Sequence, residues 1–444
     1  MIKDKPNRLF KNGLLYGRVL VILVIVAVAG IWLGPVWVQA TPPNIGSWSA
    51  TTNYPTGIAY QSCVVSSGFE YCIAGANSTA TPQGNRTVIT DAVYFGQLSS
   101  GGVVAWSRTT SYPLRVQSQS CVADSGFVYC IGGDFNGNGL TNNTSAVYYA
   151  SLSSSGVGSW LPTTNYPIPI EDESCVTSTG FVTCIAGANS TGSCSPSGCG
   201  GRITINSVAY FAALSSSGVG PWSQTTSYPT GIINEKCVAA SGFVYCAGGD
   251  TAAGFGTPAE ITNSVYFAPL SSGRVGSWLS TTNYPLHFAS PSCVLFGSLG
   301  LMYCIGGFTA TGGSFTGPTS AVYSAPLSST GVGAWSPATN YPAAVYEESC
   351  VVNAGLVYCT GGNPPTSAVY FASTLPDTTS TAVSCSPSTI GVNENSMCTV
   401  TVTDTTNTTN TPTGTVSFAS SNTTVGTVAS SCRLDNTNWD CHHE

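Results

Sequence analysis

Charge is what this sequence has least of. Asp, Glu, Lys and Arg make up 7% of its 444 residues, against roughly 25% in an average globular protein. Histidine is nearly missing too: of three, His442 and His443 stand at the extreme C-terminus and His287 is alone in the body of the chain. These shortages exclude whole classes of function. A nucleic-acid partner needs clustered Lys and Arg. Here Lys3, Lys5, Arg8, Lys11 and Arg18 precede the first apolar run, and the remaining seven basic residues are scattered among eighteen acids. A Ser-His-Asp nucleophile would have to use His287, and no activated-serine turn surrounds it. A copper centre built from several histidines has too few ligands. No cofactor is expected, and the chain is read as a non-enzyme.

What is present is hydrophobic: 42% of the residues. That is enough to bury a core and inconsistent with a disordered polar chain. The surface must then be made of Ser, Thr, Asn and Gly, which suits an exported protein. Residues Val19 to Val38 are almost unbroken apolar, long enough to cross a hydrocarbon layer of about 30 Å. The basic residues before this run place the N-terminus inside and the remainder outside. Val38-Gln39-Ala40 also fits a signal-peptidase site. Two fates stand: an uncleaved single-pass anchor, which the length of the run favours, or secretion after cleavage. Either exports the chain, and eighteen cysteines fit an oxidising address.

One pattern recurs six times: Trp, then Tyr-Pro, Ser-Cys-Val, a Gly turn, Tyr-Cys, Gly-Gly and Ala-Val-Tyr. The tryptophans are Trp48, Trp106, Trp160, Trp222, Trp278 and Trp335, a period of about 57; the Tyr-Pro copies begin at Tyr54, Tyr112, Tyr166, Tyr228, Tyr284 and Tyr341. A period of this length signals a solenoid, propeller or array. Short apolar runs bounded by Gly, Pro, Ser and Asn read as strands. In the first copy they are Ser62 to Ser66, Phe69 to Ala74, Ala92 to Leu98 and Val103 to Arg108. Four antiparallel strands make one propeller blade.

The repeat resembles the kelch family. Gly132-Gly133 with Tyr148 and Trp160, Gly248-Gly249 with Tyr266 and Trp278, and Gly306-Gly307 with Tyr323 and Trp335 carry the likeness; Ala74-Gly75 and Ala186-Gly187 depart from it. It covers roughly Asn44 to Leu375 and speaks for fold more than function. The sixth copy ends near Leu375 without a Trp strand, and the first Trp strand, Ile45 to Trp48, has no preceding blade. The N-terminal strand should therefore complete the last blade. The expected fold is all-β: a six-bladed kelch-like β-propeller (41–376) after an N-terminal transmembrane or signal helix (1–40), then a partial Ig-like β-sandwich (377–444). The last piece is Thr/Ser-rich and similar to the Ig-like repeats of prokaryotic, notably archaeal, surface proteins.

Each copy holds two cysteines: Cys63/Cys72, Cys121/Cys130, Cys175/Cys184, Cys237/Cys246, Cys293/Cys304 and Cys350/Cys359. Five pairs centre on Ser-Gly, Thr-Gly or Ala-Gly, the signature of a two-residue hairpin. Counting outward puts the cysteines opposite each other at a non-hydrogen-bonded position, within disulfide reach. The fifth pair keeps that opposition with a four-residue turn. Cys194/Cys199, Cys385/Cys398 and Cys432/Cys441 are further candidate pairs, their connectivity open. Zinc sites usually show shorter spacings and often histidine.

Candidate binding residues come from comparing the copies with one another. Five positions before the first Cys stands an apolar residue: Ile58, Val116, Ile170, Ile232, Phe288 and Val345. Two and three positions before it the residues vary: Tyr60 and Gln61, Ser118 and Gln119, Asp172 and Glu173, Asn234 and Glu235, Ser290 and Pro291, Glu347 and Glu348. A fixed frame with varied tips is how a binding surface is built. Solvated loops are the plain alternative. Arg115 and His287, one position before the apolar residue, join the candidates. Asp134-Phe-Asn136-Gly-Asn138-Gly139 resembles the start of a calcium loop, but Ser145 stands where a bidentate Glu is needed, so an ordinary turn is expected and no metal. Asn-x-Ser/Thr acceptors occur at Asn77, Asn85, Asn142, Asn143, Asn189, Asn407 and Asn422.

The expected function is a cell-surface binding or adhesion module, held to the membrane by its N-terminal helix and meeting a protein or glycan. A structural envelope component without a ligand is the alternative. A carboxylate-dependent hydrolase or lyase using Asp172, Glu173, Glu347 or Glu348 is a further one.

Overall fold

A computed structural model describes residues 45–81, 84–135, 143–191, 194–195, 198–199, 202–251, 260–297, 300–311, 314–373, 379–386, 397–404, 432–435 and 438–441. The apolar run at 19–38 lies outside them, as does most of the calcium-like fragment. Among the described residues no helix is long and apolar enough to cross a membrane. All strand pairings are antiparallel and no α-helix is present among the described residues. Asn44–Leu375 forms one compact unit, and the residues after it belong to another.

The first unit contains six sheets, one per repeat. Each starts with a hairpin whose turn the sequence dictates. At Ser67-Gly68 both residues have positive φ (49° and 79°), and the equivalent pairs in the second, third, fourth and sixth sheets do the same. This is the type I′ geometry, whose twist matches that of the flanking strands and in which the second residue is best glycine. The hairpin strands are Ser62–Ser66 with Phe69–Thr81, Ser120–Asp124 with Phe127–Ile131, and Ser174–Ser178 with Phe181–Ile185. The other three are Lys236–Ala240 with Phe243–Ala247, Ser292–Phe296 with Leu301–Ile305, and Ser349–Asn353 with Leu356–Thr360.

In all six hairpins the two cysteines face each other and are bonded, with Cα atoms 4.0–4.1 Å apart. The bonds are Cys63–Cys72, Cys121–Cys130, Cys175–Cys184, Cys237–Cys246, Cys293–Cys304 and Cys350–Cys359. In the fifth the connection is longer, and Cys293 still opposes Cys304. The two halves of each bond differ in depth, which an even spacing does not foretell. Cys72, Cys130, Cys184, Cys246, Cys304 and Cys359 are buried, and all six of their partners keep some surface: Cys63, Cys121 and Cys237 are 8% exposed, Cys350 is 9%, and Cys175 and Cys293 are half-buried. The reason is strand position. The second strand lies between the first and third and is covered from both sides, whereas the first strand is an edge.

A third strand follows in each sheet, for example Val147–Ser153 and Ala209–Ser215. The fourth differs from expectation. The first sheet has one continuous strand, Gly102–Arg108, running through Trp106; the second to fifth break it into two short pieces around the Trp, as in Gly156–Val157 and Leu161–Pro162. The cause is local. Val104 of the first copy is replaced by Gly158, Gly220, Gly276 and Gly333, whose amides fold back onto Ser151, Ala213, Pro269 and Pro326 carbonyls. The sixth sheet receives its outer strand from the other end of the chain: Ser49–Ala50 pairs with Val369–Ser373.

Adjacent sheets are held by the same bonds each time. The Trp indole N–H donates to a threonine carbonyl of the preceding repeat, from Trp106 to Thr52 through Trp335 to Thr282, and Trp48 donates to Thr339. Each of these tryptophans meets the buried tyrosine of the preceding Tyr-Pro edge-on at 4.8–4.9 Å. Tyrosine hydroxyls of the second strands reach the next sheet: Tyr71 to Ser153, Tyr129 to Ser215, Tyr245 to Ser328, and Tyr358 of the sixth sheet to Ser99 of the first. The apolar core is correspondingly divided into seams between neighbouring sheets, such as the cluster of Val64, Tyr71, Val116, Val128 and Val157.

Two small additions decorate this frame: a hairpin of Ala188–Thr191 and Arg202–Ile205, and a three-stranded sheet of His287–Ala289, Phe308–Thr311 and Ser314–Pro318. Beside the first, Cys194 opposes Cys199. After Leu375 the described strands Thr379–Ser386, Met397–Asp404, Cys432–Asp435 and Asn438–Cys441 form one antiparallel sheet, in which Cys385 opposes Cys398 and Cys432 opposes Cys441. Residues 405–431 of the expected Ig-like piece lie outside the described residues.

Candidate functional site

The variable loops meet at one place. Tyr60, Ser118, Asp172, Asn234, Ser290 and Glu347 all adopt left-handed backbone, with φ between 54° and 59°. Each donates its N–H to the carbonyl of its counterpart one repeat back: Ser118 to Tyr60 (3.1 Å), Asp172 to Ser118 (3.1 Å), Asn234 to Asp172 (3.3 Å), Ser290 to Asn234 (2.9 Å) and Glu347 to Ser290 (3.1 Å). Tyr60 donates to Glu347 at 3.2 Å and returns the series to its start.

Three features clamp this ring. The apolar residue two positions earlier (Ile58, Val116, Ile170, Ile232, Phe288, Val345) is at most 4% exposed. Its carbonyl accepts the N–H of a glycine in the preceding sheet: Gly362, Gly75, Gly133, Gly187, Gly249 and Gly307 respectively. Below the ring, Ser62, Ser120, Ser174, Ser292 and Ser349 offer hydroxyls to the next sheet's cysteine amide, for example Ser349 Oγ to Cys63 N–H at 3.0 Å. Only the fourth sheet breaks the Ser-Cys doublet, with Lys236.

The cavity within the ring holds about 70 Å³ and is lined by the ring residues, by Gln61, Gln119, Glu173 and Glu348 behind them, by four of the serines and by Lys236. It is strongly polar. Asp172 and Glu347 keep part of their surface open. Burial pushes Asp172 up to about 6, with Asp134 adding to the rise and Ser118 and Lys236 opposing it. Burial also lifts Glu347 to about 7; the Asp172 charge adds to it, and Ser290 and Lys236 oppose it. Glu171, beside the ring, is raised to about 9 by burial and by its acidic neighbours Asp172, Asp134 and Glu173. At the edge, Asn363 donates to the hydroxyls of both Tyr60 (2.8 Å) and Tyr346 (2.6 Å). Tyr346 stands 5.4 Å from Phe308, itself 5.6 Å from the exposed Phe315. The opposite end of the six inner strands is an apolar cup of about 380 Å³, ringed by Val64, Val122, Val176, Val238, Val294 and Val351.

The sequence candidates divide sharply. The residues three before the cysteine line the mouth. Those two before it are not solvated tips: Gln61, Gln119, Glu173, Glu235 and Glu348 are 1–6% exposed. The physical reason is the left-handed residue before them, which turns the chain so that the following side chain points back between sheets. Glu173 and Glu348 are thus buried beneath the ring, where they still line the cavity. Arg115 is exposed and does not line the cavity. His287 is exposed at the start of its strand, with Nδ1 2.8 Å from the Ile261 carbonyl. Asp134 is buried and takes a hydrogen bond from Gln117 Nε2 at 3.3 Å. Asn143, one of the glycan acceptors, is buried with its amide on the Ala188 carbonyl, which leaves no room for a sugar.

The cysteines take no part in the mouth. Cys72, Cys130, Cys184, Cys246, Cys304 and Cys359 are sealed inside the sheets, out of reach of any ligand, and their sulfurs are spent in the hairpin bonds. Among the described residues, the one group of metal-ligand type is Cys63, Glu70 and Cys72; with both sulfurs in a disulfide, it offers a single carboxyl.

Sequence reasoning missed Lys236, Glu171, Tyr346 and Asn363. Lys236 had a signal: it interrupts a Ser-Cys doublet otherwise repeated five times. The others carry none, because the backbone turn, not the repeat pattern, brings them to the mouth. No family model matches this chain, and no curated protein matches it.

Proposed function

We propose that the chain is an extracytoplasmic binding module: a six-bladed, kelch-like β-propeller, closed by its N-terminal strand, that meets a protein or glycan partner at the ringed mouth. One observation carries this reading. Six residues share one backbone conformation and one hydrogen-bond pattern, yet present Tyr, Ser, Asp, Asn, Ser and Glu. Left-handed backbone costs a non-glycine residue of order 1–2 kcal/mol. A merely structural ring would be filled with glycine; here the position is kept for side chains. The six disulfides favour an oxidising compartment, and the apolar N-terminal run would hold the module at a membrane. The Thr/Ser-rich C-terminal unit would serve as a spacer of Ig-like type.

Binding of the full chain to panels of oligosaccharides and peptides tests this, with hits followed by calorimetry. The expected result is a ligand whose affinity falls at least tenfold in Asp172→Asn/Glu347→Gln. Ligands indifferent to these changes, or no ligand together with assembly into arrays, would favour a structural envelope role instead.

The raised carboxyls of Asp172 and Glu347 favour one further reading, acid/base catalysis on a small substrate. Its test is turnover: hydrolysis or elimination retained in the same double variant disposes of it.

A further inference from the structure

Three of the five polar side chains beneath the ring are glutamates where the other two are glutamines. Gln61 Nε2 donates to the Thr360 carbonyl of the preceding sheet at 2.6 Å, and Gln119 Nε2 to the Ile73 carbonyl at 2.7 Å. Glu173, Glu235 and Glu348 occupy the same repeat position. Two of them can be located against a common landmark. Gln61 Nε2 lies 2.8 Å from where a Cβ on Gly361 would be; Glu173 Oε1 lies 3.1 Å from that point on Gly132, and Glu348 Oε1 2.9 Å from it on Gly306. A carboxyl oxygen therefore stands where glutamine places its donating nitrogen. By the repeat, the facing acceptors are the carbonyls of Ile131, Ile185 and Ile305. A carboxylate has no hydrogen to give them.

Little compensates an ionised form: only nearby backbone amides and Lys236 favour the charge. No side-chain or well-formed hydrogen bond reaches either carboxyl oxygen of Glu173, Glu235 or Glu348, and the hydroxyls of Tyr112, Tyr166, Tyr228 and Tyr284 are likewise unpaired. Glu173 is faced by Glu171, Asp172, Glu235, Tyr112, Tyr166 and Lys236. Glu235 is faced by Glu173, Asp172, Tyr228 and Lys236. Around Glu348 stand Glu347, Tyr284, Tyr341 and Lys236. One lysine serves all three, and the remaining neighbours are acids or phenols.

We infer that Glu173, Glu235 and Glu348 are carried as neutral glutamic acids, each donating its proton to the preceding sheet as a glutamine would, so that the ring is an acid-stabilised closure that loosens as the pH rises. The direction agrees for each: burial raises Glu173 and Glu348 to about 8, and Glu235 well above the ordinary carboxyl range, while nearby backbone amides offset part of the rise. These acids favour the folded chain fully below the unfolded glutamate value, about 4.3. That contribution fades as pH climbs toward 8. With three protons held only by the folded form, the unfolding constant grows by up to about a thousandfold per pH unit inside that window.

Thermal melts of the full-length chain from pH 4 to pH 9, beside Glu173→Gln/Glu235→Gln/Glu348→Gln, test the inference. The wild type is expected to lose melting temperature steadily between pH 4 and 8. The triple variant should match it at pH 4, exceed it at pH 8 and keep only the slope due to Glu171, Asp172, Glu347 and Glu70, which burial raises to about 8 against the Thr360 hydroxyl. Infrared spectra at pH 6 give a second readout that does not depend on the variant's stability: the wild type must show protonated-carboxyl C=O absorption, and the single variant Glu348→Gln must lose part of it. An unchanged pH slope in the triple variant, or no protonated-carboxyl absorption in the wild type, overturns the inference.

Discussion

The backbone N–H of Tyr60 donates to the carbonyl of Glu347 at 3.2 Å, joining the first repeat to the sixth. Its five companions join consecutive repeats; this one spans almost the whole unit. The link recurs at three other depths: Ser349 Oγ holds the Cys63 amide, Tyr358 holds Ser99, and Trp48 holds Thr339. A row of sheets would leave these end groups unmatched. Long-range closure of this kind has a steep entropic requirement before it yields contacts, so the residues that complete it should be disproportionately important.

Removing 41–50 tests this directly. Ile45 is 1% exposed in the seam between the fifth and sixth sheets. Gly46 and Thr51 amides bond to Ser373 and Val369, and Trp48 packs on Tyr341. Deletion exposes one edge of the sixth sheet and should lower the melting temperature of the whole unit in one cooperative step. The single change Ile45→Ala should cost about 2–5 kcal/mol, read from chemical denaturation. An unchanged melt in both would mean the first strand is an ornament.

The disulfides act differently. Each joins neighbouring strands of a local hairpin, so chain entropy limits its contribution to about 2–3 kcal/mol, and the hairpin's own tendency to form lowers that further. Replacing Cys175 and Cys184 together by serine should therefore leave a chain that folds and binds as before while melting lower. Alkylation without reduction should leave all six pairs unmodified by mass, since none of the described cysteines is free.

How far the sequence could be read follows from this division of labour. Hairpin turns, cysteine opposition and the strand swap at the ends were legible because each rests on local chemistry: a glycine that permits φ > 0, an even spacing, a missing Trp strand. The direction of Gln61, Glu173 and Glu348 was not. It depends on a left-handed turn at the residue before each, and Tyr, Ser, Asp, Asn and Glu announce no common backbone conformation. Glu173, Glu235 and Glu348, which read as varied loop tips, are buried. The same blindness hid Asn363 and Tyr346, which reach Tyr60 only through the closed ring.

Glycines in one sheet separate conformational strain from close contact. Gly180 (φ 78°) has open space where a Cβ would go, so Gly180→Ala should cost about 1 kcal/mol, the penalty of left-handed backbone alone. At Gly187 (φ 102°) a Cβ would lie 2.8 Å from the Glu171 carbonyl and 2.9 Å from Glu173 Cβ. Its N–H also anchors Ile232. Gly187→Ala should cost about 3 kcal/mol or more, because the obstacle is backbone that the ring holds in place. Equal losses from the two changes, measured by urea denaturation, would show that the ring yields easily.

The mouth carboxyls offer the sharpest separation of function from architecture. Burial raises Asp172 to about 6 and Glu347 to about 7, above unfolded values of about 3.9 and 4.3. Raised folded values mean that these groups favour the folded chain below about pH 4 and oppose it increasingly up to about pH 7. Asp172→Asn/Glu347→Gln should therefore melt with the wild type at pH 4 and above it at pH 8. A purely structural ring would gain stability and lose nothing. If the mouth is the binding surface, the same variant must bind its partner more weakly at pH 8 while melting higher, and its binding must lose the wild type's dependence on pH between 6 and 7. Stability and affinity moving in opposite directions is what strain retained for a ligand predicts; affinity unchanged beside a raised melt would remove the mouth from the functional account.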